Sequence, residues 1–204
     1  HEWLIWDGAR YGKDRKLDIV TRAKKTIRAI YRRAADEPDD GTRKAIIKHA
    51  IKSDSQKSYN AMIELAKSET KIPLISDELD SDPILFNVQN GTIDLHTGKL
   101  MSHNRRNLIT KLAPVHYDPK AVCPFWLDSL QLYMQGSEDL IRFLQRAIGY
   151  AMTGEIREHV LFILYGTGVN GKSAFFKTIL GMMGDYGKGS DPDLLLKKRH
   201  EAHP

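Results

Sequence analysis

Eight residues near the end of the sequence have the types and spacing of a phosphate-binding loop. They fit the pattern G-x-x-x-x-G-K-[ST] without a mismatch and are Gly166, Thr167, Gly168, Val169, Asn170, Gly171, Lys172 and Ser173. Glycines allow a tight turn whose backbone N–H groups face phosphate oxygens. The Lys172 ammonium would neutralise the β- and γ-phosphates of a nucleotide, and the Ser173 hydroxyl would bind Mg²⁺. The motif therefore predicts a site for nucleotide phosphates with a magnesium ion.

The flanking sequence predicts the strand and the helix that this motif requires. Residues 160–165 are continuously apolar and rich in strand formers, which predicts a strand buried on both faces of a parallel sheet. After the loop, apolar residues recur at helical spacing: Phe175, Phe176, Ile179, Leu180 and Met183. The other interpretation is a glycine-rich turn that merely joins strand to helix, in which the Lys-Ser pair would have no role.

Composition is typical of a soluble globular chain with one or two domains. The 204 residues are 41% hydrophobic and 28% charged, with a net charge of +5. A single cysteine, Cys123, excludes an internal disulfide framework and fits a reducing compartment; we expect it to be a small buried residue. No signal peptide or membrane-spanning run is present, so no membrane partner is expected. Because the sequence begins at His1, we expect it to be part of a longer polypeptide.

Positive charge is concentrated in the N-terminal part of the sequence. Ten Lys/Arg stand against two acids between Arg10 and Arg33, a local excess larger than that of the whole chain. Residues 17–35 have the apolar period of an amphipathic helix. One polar face of this helix would carry the candidate DNA-binding residues Lys24, Lys25, Arg28 and Arg32. The alternative is an ordinary solvated face.

The remaining elements are predicted from turn signals and apolar periodicity. Residues 37–41 read as a loop, two short helices follow, and Pro73 ends the helical stretch. A β-hairpin over residues 84–101 turns at Asn90-Gly91. Further helices begin at Pro124 and near Ser137. Residues 184–190 are expected to be a flexible loop, and Leu194, Leu195 and Leu196 a short helix.

Several other side chains are of types that could do chemistry, but ordinary structural roles are expected for them. Trp3, Trp6 and Tyr11 are expected to pack on a core, although they could stack on bases. Asp94 and His96 share a strand face, yet turn and surface roles are favoured over an acid–base pair. His200, Glu201 and His203 are too few and too closely spaced for a metal site.

The order of these landmarks carries a family resemblance. The contributing stretches are Trp6-Asp7-Gly8, residues 85–98, Thr110-Lys111, residues 117–124, residues 145–154, the loop at 166–173 and Gly184-Asp185-Tyr186. Together they resemble the phage and plasmid primase–helicase family, whose motor is a superfamily III (AAA+) helicase preceded by a poxvirus-NTPase-like region. The stretches cover nearly the whole chain, and only the loop is specific by itself.

The resemblance implies an ATP-driven DNA helicase that acts as a homo-oligomeric ring on single-stranded DNA. It would replicate a phage, plasmid or integrated element in the cytoplasm of a bacterial or phage-infected cell. Gly166 to Ser173 would bind ATP and Mg²⁺, with Lys172 acting in catalysis and Ser173 on the metal. The implied fold is a mainly helical α+β region with β-hairpins over residues 1–155, followed by the start of an α/β P-loop ATPase over residues 156–204.

The family's other functional parts would lie outside this sequence. A primase domain would precede it, and the Walker B carboxylates, polar sensor and arginine finger would follow Pro204. Asp185, Asp191 and Asp193 come too soon after the loop helix to replace the Walker B carboxylates. We therefore expect this chain to hold nucleotide phosphates without hydrolysing ATP at a useful rate.

Two functions of other classes stay open. A small-molecule P-loop kinase would need an acceptor pocket and a lid, and the long basic N-terminal region argues against it. A non-enzymatic DNA-binding or loading module would retain the loop as a vestige. Stimulation of ATP turnover by single-stranded DNA would separate the helicase from both.

Overall fold

A computed structural model describes residues 2–166, 168 and 170–190. Within these residues the chain is mixed α/β, with six α-helices and two small antiparallel sheets. The described residues divide into two compact units, one made of residues 2–81 and 105–110 and the other of residues 82–104 and those described from 111 to 190. These units are groups of residues that pack together, and they do not test the domain boundary predicted before residue 156. That boundary stays a prediction. The predicted helix at residues 194–196 and the side chains from Asp191 to His203 lie outside the described residues.

The first unit joins a hairpin to three helices. Strands β1 (Leu4–Trp6) and β2 (Tyr11–Lys13) pair antiparallel, with Trp6 opposite Tyr11 and their ring centroids 5.3 Å apart. Helices α1 (Asp18–Asp36), α2 (Asp40–Ser53) and α3 (Gln56–Ala66) follow. Ala23 and Ile27 of α1 and Tyr59 of α3 form the buried cluster of these helices. Trp3, Trp6 and Tyr11 are half-buried, and none of them belongs to a buried cluster of the described residues, so their expected packing on a core stays a prediction.

Local hydrogen bonds set the helix ends in this unit. The Asp14 carboxylate accepts the backbone N–H groups of Asp18 and Ile19 at 2.8 and 2.9 Å, which holds the pKa of Asp14 below its usual range. Asp39 caps α2 by accepting the N–H of Thr42. The predicted loop at 37–41 is therefore shorter than expected, since α2 already begins at Asp40. Likewise α3 ends at Ala66, well before Pro73.

The second unit is built on a three-stranded meander. Strands β3 (Leu85–Val88), β4 (Gly91–Asp94) and β5 (Lys99–Met101) pair in sequence order. The predicted hairpin is confirmed, but its turn is shifted by one residue. Val88 pairs with Gly91, so the two loop residues are Gln89 and Asn90. The Asn90 side chain instead exchanges two hydrogen bonds of 2.9 Å with the Tyr117 backbone, which ties the turn to the following segment.

Asn87 is the polar centre of this sheet and is fully buried. Its side-chain oxygen accepts the Thr92 hydroxyl at 2.9 Å and lies 3.0 Å from His103 Nδ1. Its side-chain nitrogen donates to the Lys111 carbonyl at 3.0 Å. Buried polar groups stabilise a fold only when they are paired, so this amide joins β3, β4 and the 111–113 segment.

Replacing Asn87 with alanine should lower the free energy of unfolding by about 3 kcal/mol, because the buried Thr92 hydroxyl would lose its partner and the Lys111 carbonyl would lose its hydrogen bond. Asn90→Ala is the matched control, since Asn90 is solvent-exposed in the same hairpin, and it should cost about 1 kcal/mol. Urea unfolding followed by circular dichroism measures both. Equal losses in the two variants would contradict a central role for Asn87.

Three helices complete the second unit: α4 (Pro124–Tyr133), α5 (Glu138–Met152) and α6 (Lys172–Met183). The predicted helix starts at Pro124 and near Ser137 are confirmed; the Ser137 hydroxyl accepts the N–H of Leu140. Leu130, Ile141 and Phe175, one from each helix, form their buried cluster. The expected burial of Cys123 is wrong, because this residue precedes α4 on an exposed connector.

The strand predicted for residues 160–165 is wrong. These residues form no strand and pair with no described strand. Ile163 is 74% and Tyr165 91% exposed, while Leu164 packs partly against the cluster of α4, α5 and α6. A strand buried on both faces needs neighbouring strands for its backbone groups and elements over both faces, and the described residues supply neither here. None of the described helices is both long and apolar enough to span a bilayer.

Candidate functional site

Of the residues predicted to form a phosphate-binding loop, those that the structure describes lead into the N-terminal end of α6. Gly171 precedes the helix with a φ of 78°, and Lys172 is its first residue. Gly168 also has a positive φ, of 101°. Thr167 and Val169 lie outside the described residues. The predicted helix after the loop is therefore confirmed, and its first-turn N–H groups have the orientation that favours anions.

Lys172 folds back onto neutral acceptors of the loop. Its ammonium donates to the Asn170 side-chain oxygen at 2.6 Å and to the Gly166 carbonyl at 3.2 Å. No carboxylate within the described ranges forms a salt bridge with it. A cation that is hydrogen-bonded only to neutral acceptors gains more interaction energy from an incoming anion than a cation that is already paired with a carboxylate. This ammonium is available to an anionic group that enters the loop.

Ser173 follows Lys172 in the first turn of α6 and is exposed. Its hydroxyl can contribute one oxygen ligand to a hard cation beside a bound phosphate. Among the described residues, no group of three or more His, Cys, Asp and Glu side chains could hold a metal ion unaided. A magnesium ion at this loop would therefore take most of its ligands from the phosphates and from water.

Tyr133 is a neighbour of the loop that the sequence did not indicate. Tyr133 is the last residue of α4, and its half-buried ring lies against Gly171. A Cβ at Gly171 would overlap three atoms of the Tyr133 ring. Behind this contact, the rings of Trp126 and Phe175 stack with centroids 5.6 Å apart. The first turn of α6 is therefore held against α4 by aromatic packing. The only signal in the sequence is the glycine that permits the approach.

Gly171→Ala should lower the free energy of unfolding by about 2 kcal/mol, because the new methyl group must displace the Tyr133 ring and sits on a backbone with positive φ. Gly181→Ala is the control in the same helix. A Cβ at Gly181 meets nothing within 4 Å, so alanine should stabilise the helix by about 0.5–1 kcal/mol. Thermal unfolding measures the stability of both variants. If alanine at residue 171 stabilised the chain, the close packing of Tyr133 on Gly171 would be contradicted.

The predicted basic face lies on α1 and is exposed. The side chains of Lys24, Lys25, Arg28 and Arg32 all reach solvent. They form no salt bridge with any residue that the structure describes. The face opposite to them carries Ala23 and Ile27, which are buried against α3. These four cations are thus presented as a row without neutralising partners, in the first compact unit.

Asp94 and His96 have the turn roles expected of them. The Asp94 carboxylate accepts the N–H groups of Thr97 and His96, which lowers the pKa of Asp94. His96 borders a shallow cavity of about 230 Å³. There the Arg157 guanidinium donates to both oxygens of Glu155 and lowers the pKa of that carboxyl. Within this lining, Arg157 and Glu155 therefore neutralise each other.

Comparison with known proteins places the larger part of the chain in a family. No curated protein matches the sequence. Residues 1–135 match the family model described as D5 N terminal like, and residues 166–173 lie beyond the match. Since the match covers about two thirds of the sequence, the chain belongs to the D5 N terminal like family, the N-terminal domain of primase–helicase replication proteins of the phage and plasmid type.

Proposed function

We propose that this chain is the nucleotide-binding front part of an ATP-dependent DNA helicase of superfamily III. The observation that supports this most directly is Lys172. It is an ammonium without a carboxylate partner among the described residues, on the first turn of a 12-residue helix, next to a glycine loop. The helix dipole, the first-turn N–H groups and the ammonium all favour the same kind of ligand, a polyphosphate.

Binding of ATP would replace the resting partners of Lys172. The ammonium would leave Asn170 and Gly166 and donate to oxygens of the β- and γ-phosphates, exchanging neutral acceptors for charged ones. The N–H groups of the first turn of α6 would hold the same oxygens. The Ser173 hydroxyl would ligate Mg²⁺, which neutralises phosphate charge. Tyr133 and the Trp126–Phe175 stack keep α6 in place while the loop rearranges.

The second part of the proposal is that α1 binds single-stranded DNA. Lys24, Lys25, Arg28 and Arg32 form an exposed row with no acid between residues 19 and 35. Such a row can follow successive phosphates and release their counterions. In the proposed helicase, several copies of the chain would assemble into a homo-oligomeric ring, and a primase domain would lie upstream. The ring would use the α1 row to bind the DNA strand.

The proposal is tested by ATP turnover, with and without single-stranded DNA, in a polypeptide that carries this chain together with the rest of a P-loop ATPase domain. We expect turnover that rises with DNA and is lost in Lys172→Ala. A folded polypeptide without turnover would overturn the helicase assignment. Salt-sensitive DNA binding in that case would identify a loading module, whereas turnover indifferent to DNA would favour a small-molecule kinase.

A further inference from the structure

The turn that follows α6 is docked on the sheet of the second unit. Residues Gly184–Tyr186, expected to be part of a flexible loop, form a 3₁₀ turn directly after the helix. Gly184 has a φ of 54°, and a Cβ there would overlap Pro114 and lie 2.9 Å from the Leu112 carbonyl. Only glycine permits this approach. One end of α6 thus carries the phosphate-binding loop, and the other end rests on the β3 edge.

Two side chains of the turn fix it to backbone groups of the sheet region. The Asp185 carboxylate accepts the N–H of Leu112 at 3.1 Å. The Tyr186 hydroxyl accepts the backbone N–H of Asn87, the buried residue at the centre of β3, at 3.0 Å. Asn87 and Tyr186 are 99 residues apart in sequence. A backbone N–H at a buried strand edge needs a hydrogen-bond acceptor, and here the acceptor is the hydroxyl of Tyr186 in the turn after α6.

Ring packing strengthens the same attachment. The Tyr186 ring lies on Phe86 with centroids 4.5 Å apart, and Phe86 is among the most buried residues of the sheet. The Lys111 ammonium lies 5.6 Å from the centre of the Tyr186 ring on a neighbouring segment. The half-buried Tyr186 ring therefore packs against the buried cluster of the sheet, while Asp185 stays exposed.

We propose that Asp185 and Tyr186 are positioning residues for the nucleotide site, which fix α6 to the β3 edge and couple nucleotide binding at Lys172 to that edge. This inference rests on the proposed function. Twelve helical residues separate the two ends, about 18 Å. A helix transmits displacement at one end to the other, because its backbone hydrogen bonds resist stretching. When the loop rearranges around phosphate, the helix therefore changes the hydrogen bond between Tyr186 and Asn87. By linkage, a change in that hydrogen bond alters the affinity for the nucleotide.

The test uses two conservative variants and a matched control in the whole chain. Tyr186→Phe removes only the hydroxyl that accepts from Asn87, and Asp185→Asn weakens the bond to Leu112. Tyr117→Phe is the control, because the Tyr117 hydroxyl donates to Gly98 at 3.0 Å in the same unit, and its ring packs on the same cluster. Circular dichroism establishes that each variant is folded.

The first readout is affinity for a fluorescent ADP analogue with Mg²⁺. We expect a five- to tenfold weakening in Tyr186→Phe and Asp185→Asn, and less than twofold in Tyr117→Phe. The second is hydrogen exchange over residues 85–94 with and without the nucleotide. Binding should slow exchange there at least threefold in the wild-type chain and in Tyr117→Phe, but not in Tyr186→Phe. A purely structural role would leave this nucleotide-dependent protection unchanged.

The outcomes separate this inference from the proposed function. A wild-type chain that binds nucleotide without any protection of residues 85–94 overturns the coupling alone. A wild-type chain that binds no nucleotide overturns the proposed function. Exchange over residues 172–176 in the nucleotide-free chain then decides the positioning role. It should be at least threefold faster in Tyr186→Phe than in Tyr117→Phe, and equal rates overturn the inference.

Discussion

Alanine at residue 172 should abolish MgATP binding by this chain, with Kd rising by at least about 100-fold. Lys172 would make two charge-assisted hydrogen bonds to phosphate oxygens, each contributing about 1.5 kcal/mol, and about 1.4 kcal/mol corresponds to a tenfold change in affinity. The long-range attraction of the ammonium for a polyphosphate would be lost as well. Titration of a fluorescent ATP analogue in the presence of Mg²⁺, with unlabelled ATP as competitor, measures the change.

Lys177→Ala is the control for this variant. Lys177 is an exposed lysine on the same helix, so its replacement removes the same charge and leaves the loop intact. We expect its Kd to change by less than threefold. Binding of single-stranded DNA should be nearly the same in both variants, because α1 carries the proposed DNA contacts. Wild-type nucleotide affinity in Lys172→Ala, or an equal loss in Lys177→Ala, would show that the loop is not the nucleotide site.

The helices could be predicted from sequence because their signals are local. The apolar period of α1 spans five turns, and its start is set by Asp14, a few residues away. Pro124 indicates the start of α4 because its ring suits the first turn of a helix, and Ser137 indicates the start of α5 because its hydroxyl caps the first turn. Each of these predictions needed only neighbours along the chain.

The failures concern residues whose environment depends on distant partners. Residues 160–165 have the composition of a buried strand, but a strand forms only where other strands accept its hydrogen bonds. Cys123 has the small apolar side chain of a buried residue, yet nothing in its own sequence neighbourhood determines what covers it. In both cases composition gave a propensity, and tertiary contacts decided the outcome.

The candidate site shows the same division. The motif predicts roles for Lys172 and Ser173, because the spacing of such a loop is fixed by its backbone conformation, and these roles stay predictions. Tyr133 could not be predicted from the motif, since it is separated from Gly171 by a helix and a connector, and only packing brings the ring to the glycine. The role of Tyr186 was equally hidden, because its partner Asn87 reads in the sequence as an ordinary strand residue.

Reversing two charges on α1, Arg28→Glu with Arg32→Glu, should weaken binding of single-stranded DNA about 100-fold at low salt. Two phosphate contacts would be lost, and each glutamate would repel the strand. The dependence of log K on log salt should also become shallower by about 1.4, the value for two released counterions on single-stranded nucleic acid. Fluorescence anisotropy of a labelled oligonucleotide, titrated at several salt concentrations, gives both quantities. Nucleotide affinity should not change.

A second double reversal, Lys48→Glu with Lys52→Glu on α2, separates a specific contact from the overall charge. Both lysines are exposed, lie in the same compact unit as α1 and form no salt bridge with a described residue. This variant has the same net charge as the α1 variant, so any difference in DNA affinity reports where the strand lies. Tenfold or stronger discrimination between the two variants would support the α1 row. Equal weakening would mean that the DNA senses only the net charge of the unit, and unchanged affinity in the α1 variant would exclude that face as the binding surface.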